Sequence, residues 1–397
     1  MAGIATPAHS GPKLKLAMAA GEASGDLLAA AVLRGLRAQG DCESAGIGGP
    51  AMASEDFDCW WSIDALSVRG YAEVLMALPR LLKMRAQLAE RIRQYQPDVF
   101  VGVDAPDFNL NLETRLRQAG IPVIHFISPS IWAWRAERIE AIRRAVDHML
   151  LVFPFEQALY DEAGVPATYV GHPLADAIPL TVDRDAACRT IGLDPARPTV
   201  ALLPGSRPDE IRYMGQLFLD TAVWMYGRRA DIQFVLPAAG ARLFEALRDR
   251  ISRGPYQELS LTLVQGRSHE AMAAADTVLV ASGTASLEAA LLRKPMVIAY
   301  KMAWLSYQLM KNKGYLPWIG LPNILARESL VPEFIQQQAS APALGAALLA
   351  QLDDEPLRAR LAARFAEIHQ SLRRDCATRA ADLIRELVDA RRRSSTH

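Results

Sequence analysis

The segment LKLAMAAGEASGD, Leu14–Asp26, indicates the fold class because it joins an apolar run to a glycine-containing turn and the start of a helix. Leu14–Ala20 predicts a buried strand, and Leu27–Gln39 shows the three-to-four-residue apolar spacing of a helix. The same order of short apolar run and longer amphipathic stretch recurs along the chain. This alternation predicts an α/β fold with parallel strands.

Two successive sets of apolar runs predict two Rossmann-like halves. In the first half the further predicted strands are Ser44–Ile47, Val99–Val103, Val123–Ile127, Met149–Phe153 and Thr168–Val170. In the second half they are Thr199–Leu203, Ile232–Leu236, Leu261–Val264, Thr277–Val280 and Met296–Ala299. Helices such as Leu81–Gln94 and Ala136–Ala145 are predicted between them.

The domain boundaries follow from proline content and apolar spacing. We expect a disordered leader over residues 1–13, a first domain over 14–172, a linker over 173–198, a second domain over 199–340 and helices over 341–397. The linker carries four prolines and no strand pattern. The last helices carry one apolar stripe, which must be buried against either half or against another chain, so a homodimer is permitted.

Composition excludes several classes of protein. The 397 residues include 44 Lys and Arg and 44 Asp and Glu, and this zero net charge argues against a nucleic-acid partner. No apolar run approaches the roughly 18 residues that span a bilayer, and no signal peptide is predicted. The four cysteines and seven histidines show no metal-ligand spacing, so we expect a cytoplasmic protein without a metal. Gly46–Ala51 matches G-x-G-x-x-A, but Pro50 makes a poor helix start, and no nicotinamide cofactor is expected.

The turn after the first strand is a candidate binding site, because ligands of parallel sheets bind beyond the carboxyl ends of strands. Ser24 and Gly25 stand at a helix N-terminus, where free N–H groups suit a phosphate or a sugar hydroxyl. Helix capping by Ser24 or Asp26 explains the same residues equally well.

Asp104 follows the predicted strand Val99–Val103 and is the candidate catalytic residue. A carboxylate beside apolar Pro106 and Phe108 suits a general base acting on an incoming hydroxyl. On sequence chemistry alone, an aspartate that forms an Asx-turn ahead of Pro106 is the favoured alternative.

Two turns in the second half have the composition of phosphate-binding loops. Ser206 and Arg207 end the sequence PGSR, where glycine permits close backbone approach and arginine offers several donors to a phosphate. The second turn provides the residues Ser282, Gly283 and Thr284 at a predicted helix start. Glu288 lies about 7–8 Å further along that helix, within reach of a ribose diol. A capped helix with a surface glutamate is the alternative.

Aromatic and basic residues adjoin apolar ones in Val74–Met84 and in Lys301–Trp318. Either stretch alone is typical of an amphipathic helix packed on a core. Together they favour contact with a membrane surface, where long cationic side chains keep their charge in water.

The motifs place the chain near a known family. The matching stretches are AGEASGD (Ala20–Asp26), GIGGPAM (Gly46–Met52), PDVFVGVDAPDFN (Pro97–Asn109), ISPSIWAWR (Ile127–Arg135), GHPLAD (Gly171–Asp176), LLPGSR (Leu202–Arg207), SGTASLEAAL (Ser282–Leu291) and LPNILA (Leu321–Ala326). In these motifs, which cover most of residues 14–335, the chain closely resembles the lipid-A-disaccharide synthases. The resemblance implies a GT-B fold, two Rossmann-like domains facing across a cleft, and a role in the lipopolysaccharide synthesis of Gram-negative bacteria.

The reaction that the resemblance implies is an inverting transfer of 2,3-diacylglucosamine from UDP to 2,3-diacylglucosamine 1-phosphate. The products are a β-1,6-linked disaccharide 1-phosphate and UDP, made without a cofactor at the cytoplasmic face of the inner membrane. By motif position, Asp104 resembles the base, Arg207 with the Ser282–Thr284 helix start resembles the diphosphate site, and Glu288 resembles the ribose ligand. Asn323 matches a polar donor-site position, and Ser24 with Gly25 resembles the acceptor-side wall.

One departure and two alternatives accompany the resemblance. Arg69 stands where the family often has methionine, which puts the local membrane or acyl contact in doubt. A UDP-GlcNAc 2-epimerase-like enzyme would use similar donor-side turns and would need no lipid. A non-catalytic lipid or nucleotide-binding module would bind without releasing UDP. Measuring UDP release with acylated and with deacylated substrates separates the three.

Overall fold

The computed structural model describes residues 13–66, 71–133, 136–302 and 316–394, with the backbone alone for 71–77 and 208–209. These residues form two compact units, one ending at Asp176 and resuming at Leu372, the other comprising Ala177–Ser371. Residues 1–12 of the expected leader 1–13, Arg69 and most of the Lys301–Trp318 stretch lie outside the described residues.

A seven-stranded parallel sheet forms the centre of the first unit. Its strands are β1 (Leu14–Ala20), β2 (Cys42–Gly48), β3 (Asp58–Ser62), β4 (Val99–Val103), β5 (Val123–Phe126), β6 (His148–Leu151) and β7 (Ala167–Tyr169). They are ordered β3-β2-β1-β4-β5-β6-β7. The helices before the boundary are α1 (Ala23–Ala38), α2 (Pro50–Ala53), α3 (Tyr71–Tyr95), α4 (Pro106–Gln118), α5 (Ile139–Ala145), α6 (Glu156–Glu162) and α7 (Pro173–Ala177).

A six-stranded parallel sheet forms the centre of the second unit. Its strands are β8 (Thr199–Leu203), β9 (Gln233–Ala238), β10 (Leu261–Gln265), β11 (Thr277–Ala281), β12 (Met296–Tyr300) and β13 (Glu333–Ile335), ordered β10-β9-β8-β11-β12-β13. The described helices are α8 (Arg184–Thr190), α9 (Pro208–Tyr226), α10 (Ala241–Ile251), α11 (Ser268–Ala274), α12 (Thr284–Leu291), α13 (Leu321–Ala326), α14 (Ala341–Asp353) and α15 (Glu355–Leu372). Fully buried Phe218, Phe234 and Leu344 form part of its core.

The predicted α/β class with two parallel sheets is confirmed, and two short edge strands were not predicted. Strand β3, DCWWS, is exposed or half-buried throughout, so it shows no apolar run. Its Trp60 ring instead packs under the guanidinium of Arg91, 4.4 Å from the ring centroid. Strand β13 has three residues, too few for a periodic pattern.

Residues 173–198, expected as a linker, contain the two short helices α7 and α8. The chain passes from one unit to the other between Asp176 and Ala177, within α7. Asp183 is the N-cap of α8, since its carboxylate accepts a hydrogen bond of 2.9 Å from the Ala186 N–H.

The last described helix, α16 (Cys376–Ser394), belongs to the first unit and packs against α1. Gly35 permits this approach, because a Cβ at this position would lie 3.1 Å from the Cβ of Ala381. Asp176 accepts hydrogen bonds from three successive N–H groups that begin the helix, those of Arg374, Asp375 and Cys376, at 3.0, 2.9 and 2.6 Å. The GHPLAD motif therefore holds the C-terminal helix in place.

Candidate functional site

In each unit, predicted site residues follow the two neighbouring strands at which the strand order reverses. In the first unit β1 is paired with β4, so the Gly21–Asp26 turn and Asp104 follow neighbouring strands. In the second unit β8 is paired with β11, so Arg207 and Ser282 also follow neighbouring strands. Such reversal points, at the carboxyl edge of a parallel sheet, are where ligands bind in open α/β folds.

Asp104 is half-buried and lies in a strained turn. Its φ is 55°, and that of Ala105 is 45°, so two successive residues with side chains adopt the left-handed conformation. The buried amide of Asn109 donates to the carbonyls of Asp104 and Ala19, at 2.8 and 3.2 Å. The Asp104 N–H donates to the carbonyl of Phe126 on the neighbouring strand. These bonds hold the backbone of the candidate base in a conformation it would not adopt alone.

A buried ion pair lies next to this turn. His125 and Glu113 have no exposed side-chain surface, and His125 Nδ1 is 2.6 Å from Glu113 Oε1. Burial lowers the pKa of His125, but Glu113, with a smaller contribution from Asp104, reverses this, and the pKa is raised overall. Gly102 makes room for the pair, since a Cβ there would lie 2.0 Å from Glu113 Oε1.

The two residues predicted in the first turn have different environments. Ser24 is exposed in the first turn of α1, and Gly25 is buried against β4. Gly21 lets the two turns approach, because a Cβ there would lie 2.2 Å from the Cβ of Ala105. Ser24 and Asp104 are thus on adjoining turns of one sheet edge.

Asp26 is a cap, although of a different helix from the one expected. Its buried carboxylate accepts hydrogen bonds from the N–H groups of Gly49, Ala51 and Met52, at 2.7, 2.9 and 3.1 Å, at the start of α2. Gly49 has to be glycine there, because a Cβ would lie 2.5 Å from the Asp26 carboxylate. Structural packing therefore accounts for this part of the GIGGPA sequence.

Further along the same sheet edge, Glu156 is a buried carboxyl group after β6. Burial raises the pKa of Glu156 to about 8, although its carboxylate accepts a 3.0 Å hydrogen bond from the Phe153 N–H. The ISPSIWAWR motif contributes Ser128, bonded to the Tyr160 hydroxyl at 2.7 Å, and Trp132, in edge contact with Phe155. Trp134 and Arg135 of that motif lie outside the described residues.

In the second unit, the PGSR turn is organised by Glu210. Its carboxylate accepts hydrogen bonds from the N–H groups of Ser206 and Arg207, at 2.9 and 3.1 Å. Gly205, with φ of 121°, brings the backbone close to this carboxylate. The Arg207 guanidinium lies 3.9 Å from Glu210, and its side chain is 76% exposed, so it can reach a ligand. Sequence reasoning missed Glu210, although a proline at N1 with glutamate at N3 signals a helix start.

The start of α12 has the features of an anion site. Gly283, with φ of 137°, is the N-cap residue, and no side chain among the described residues caps it. Gly283 and Thr284 are exposed, which leaves the helix N-terminus accessible. Ser282 is half-buried, and its hydroxyl donates to the Ile319 carbonyl at 2.9 Å. Of the three predicted residues, Gly283 and Thr284 are therefore exposed at the helix start, whereas Ser282 fixes the adjoining loop.

Glu288, on α12, is paired with a histidine that the sequence reasoning did not single out. His269 Nε2 on α11 lies 2.8 Å from Glu288 Oε2. The hydrogen bond to this carboxylate raises the pKa of His269. A lone histidine nineteen residues before its partner gives no sequence signal.

Asn323 is completely buried and has a full set of partners. Its amide donates to the Val331 carbonyl and to Glu333 Oε1, at 2.9 and 2.8 Å, and its oxygen accepts from the Val331 N–H. Glu333 also accepts the N–H groups of Ile319 and Gly320, at 2.9 and 3.0 Å. In this structure Asn323 and Glu333 fix the loop to which Ser282 is bonded, and direct contact of Asn323 with a substrate stays a prediction.

The described residues contain neither a cluster of metal ligands nor a membrane-spanning helix. Within residues 13–66, 71–133, 136–302 and 316–394, no group of three or more His, Cys, Asp or Glu side chains is arranged to hold a metal ion. In the same part of the chain, no helix combines the length and the apolar composition that crossing a bilayer requires.

Comparison with known proteins identifies the family. The family model described as lipid-A-disaccharide synthetase matches residues 16–387. The lipid-A-disaccharide synthase of Azoarcus sp. (strain BH72) is 52% identical over 92% of this chain and 94% of its own length. That of Burkholderia thailandensis is 50% identical over 96% and 98%.

Solved structures of low sequence identity share the fold. The glycotransferase of kitacinnamycin has a TM-score of 0.63 at 16% identity, over 95% of this chain and all of the other. A putative UDP-N-acetylglucosamine 2-epimerase from Listeria monocytogenes has a TM-score of 0.64 at 12% identity, over 96% and 97%. The fold alone therefore fits both a glycosyltransferase and an epimerase, and the close relatives decide between them. The chain belongs to the lipid-A-disaccharide synthase family of GT-B glycosyltransferases.

Proposed function

We propose that this protein transfers 2,3-diacylglucosamine from UDP-2,3-diacylglucosamine to 2,3-diacylglucosamine 1-phosphate. The acceptor 6-hydroxyl attacks the anomeric carbon, a new C–O bond forms, and the bond to UDP breaks with inversion. The hydroxyl proton passes to a base, and UDP leaves with the bonding electron pair. The products are the β-1,6-linked disaccharide 1-phosphate and UDP.

The observation that carries this proposal is the strained, clamped position of Asp104 at the reversal point of the first sheet. Left-handed backbone at a residue with a side chain costs energy, and such strain concentrates at functional sites. A carboxylate at that edge suits the role of general base for the acceptor hydroxyl. Ser24 and Gly25, on the adjoining turn, form the acceptor-side wall.

The donor side is proposed from the reversal point of the second sheet. Exposed Arg207 and the accessible N-terminus of α12 at Ser282, Gly283 and Thr284 supply positive charge and N–H donors to the diphosphate. The Ser206 N–H is bonded to Glu210 in the same turn as Arg207. Glu288 binds the ribose diol. Asn323 shapes the loop to which Ser282 is bonded. No metal ion is needed for these contacts, so turnover should persist in EDTA.

Turnover of two variants tests the assignment. Asp104→Asn should keep the fold and lose most of the UDP release that depends on acylated acceptor, while binding UDP as before. Arg207→Ala should instead weaken UDP binding. Wild-type turnover of Asp104→Asn would refute the base, and a loss in EDTA that magnesium restores would refute the metal-free donor site. Release of UDP without acylated acceptor would favour the epimerase-like alternative.

A peripheral position at the cytoplasmic face of the inner membrane is proposed for the same protein. Leu78 and Leu82 lie one turn apart on α3 and are each 45% exposed. Arg80 and Lys83 adjoin them, an arrangement that suits a bilayer interface. Sedimentation with anionic vesicles should fall for the double change Leu78→Ser, Leu82→Ser. Equal sedimentation of the double variant and the wild type would refute membrane contact through this face. Light scattering would show separately whether the protein is a homodimer.

A further inference from the structure

The pair formed by His269 and Glu288 lies at the proposed donor site, where Glu288 is the ribose ligand and His269 has no role so far. The two side chains belong to different helices, and their exposed fractions are 49% and 17%. One carboxylate oxygen of Glu288 receives the imidazole, at 2.8 Å. For the other oxygen, no protein partner is found among the described residues.

The backbone that carries His269 is fixed at both ends of α11. Before the helix, the Arg267 guanidinium donates to the Thr190 carbonyl of α8, against which α11 packs. At the other end, half-buried Lys294 donates to the carbonyls of Ala273 and Ala275, at 2.7 and 2.9 Å. Lys294 lies just beyond α12, so it also ties the two helices together. The imidazole is therefore presented to Glu288 from a rigid support.

We propose that His269 is a positioning residue, which holds the Glu288 carboxylate with one oxygen turned to the ribose diol of the nucleoside diphosphate. This inference rests on the donor site proposed above. A free glutamate side chain has three rotatable bonds, and ordering them on binding costs affinity. A hydrogen bond made before the ligand arrives removes most of that cost.

The imidazole also offsets the charge of the carboxylate. Glu288 lies along the same helix as the N-terminus that is proposed to hold the diphosphate, and an uncompensated carboxylate would repel that anion. The raised pKa of His269 means that a larger fraction of the imidazole is protonated than in an isolated histidine. The positioning effect requires an intact ribose diol. The charge effect acts on the diphosphate with or without the diol, and because solvent and salt screen it, it is the smaller of the two.

Titration calorimetry with two nucleotides tests the role. Affinity for UDP and for 2′,3′-dideoxy-UDP would be measured for the wild type, His269→Ala, His269→Gln and Glu288→Gln. We expect His269→Ala to weaken UDP binding about fivefold to tenfold, the net effect of one ordinary hydrogen bond, and to change the binding of dideoxy-UDP by less than about twofold. His269→Gln keeps an N–H donor and should recover part of the loss.

The controls separate this inference from the donor site itself. Glu270→Gln removes a charge from the same helix that makes only the last-ranked contribution to the raised pKa of His269 and leaves the hydrogen bond of the pair intact, so it should change the binding of either nucleotide by less than about twofold. Equal effects of His269→Ala on the two nucleotides, or no effect on either, would overturn the positioning role while leaving the donor site intact. Failure of the wild type to bind UDP would overturn the donor site, and the inference with it.

Discussion

Glu156 makes the stability of the first unit depend on pH, and the change Glu156→Gln isolates that dependence. Burial raises its pKa to about 8 from an ordinary value of 4.5. Between these two values the folded protein keeps a proton that the unfolded chain releases, so rising pH favours unfolding. At about 1.4 kcal/mol per pH unit, the free energy of unfolding falls by about 5 kcal/mol between pH 4.5 and about pH 8. Glutamine fills the same space and has no proton to release.

Native-state hydrogen exchange at β6, the strand before Glu156, would report the opening free energy of this unit at pH 5, 7 and 9. The difference between Glu156→Gln and the wild type should be small at pH 5 and grow to several kcal/mol in favour of the variant at pH 9. Glu162→Gln, an exposed change on the same helix, is the matched control and should follow the wild type. Parallel curves for Glu156→Gln and the wild type would refute a buried, protonated carboxyl group.

Three further predictions concern single hydrogen-bonding side chains. Asn109→Ala removes the clamp on the strained turn, so kcat should fall about tenfold at unchanged KM, and steady-state rates equal to wild type would contradict this. Asp176→Ala removes the acceptor for three N–H groups at the start of α16 and should cost about 1–2 kcal/mol, seen as faster exchange in that helix; unchanged protection would argue against the cap. Glu210→Gln removes a negative charge beside the proposed diphosphate site, so calorimetry should show UDP bound about threefold more tightly, and weaker binding would show that the carboxylate mainly organises the turn.

Sequence patterns predicted the central strands of both sheets and the edge strands β7 and β10, but not the edge strands β3 and β13. Strands β1, β4 and β8 begin and end at the predicted residues because each is a largely apolar run buried on both faces, with Lys15 of β1 the one half-buried residue among them. Strand β3 was not predicted because this edge strand has no buried residue, with Asp58 exposed and its two tryptophans only half-buried, so it shows no apolar face to detect.

The candidate site was predictable where one turn supplies the chemistry and not where two elements share it. Asp104 and Arg207 each follow a strand, so their positions came from the alternation of strands and helices. His269 on α11 is paired with Glu288 on α12, and Glu113 on α4 is paired with His125 on β5. Nothing in the sequence spacing of these residues indicates either pair. Asn323 shows the converse: a motif gave its position, and only the packing shows that its amide is used up within the protein.

The return of α16 to the first unit has a consequence for biosynthesis. The segment Ala177–Ser371 is continuous in sequence, so it can fold as soon as it leaves the ribosome. The first unit is split, and the side of α1 around Gly35 stays uncovered until residues 376–394 have been made. The first unit is therefore the first to be translated and the last to be completed. Premature termination near the end of the message should damage the proposed acceptor half and spare the nucleotide half.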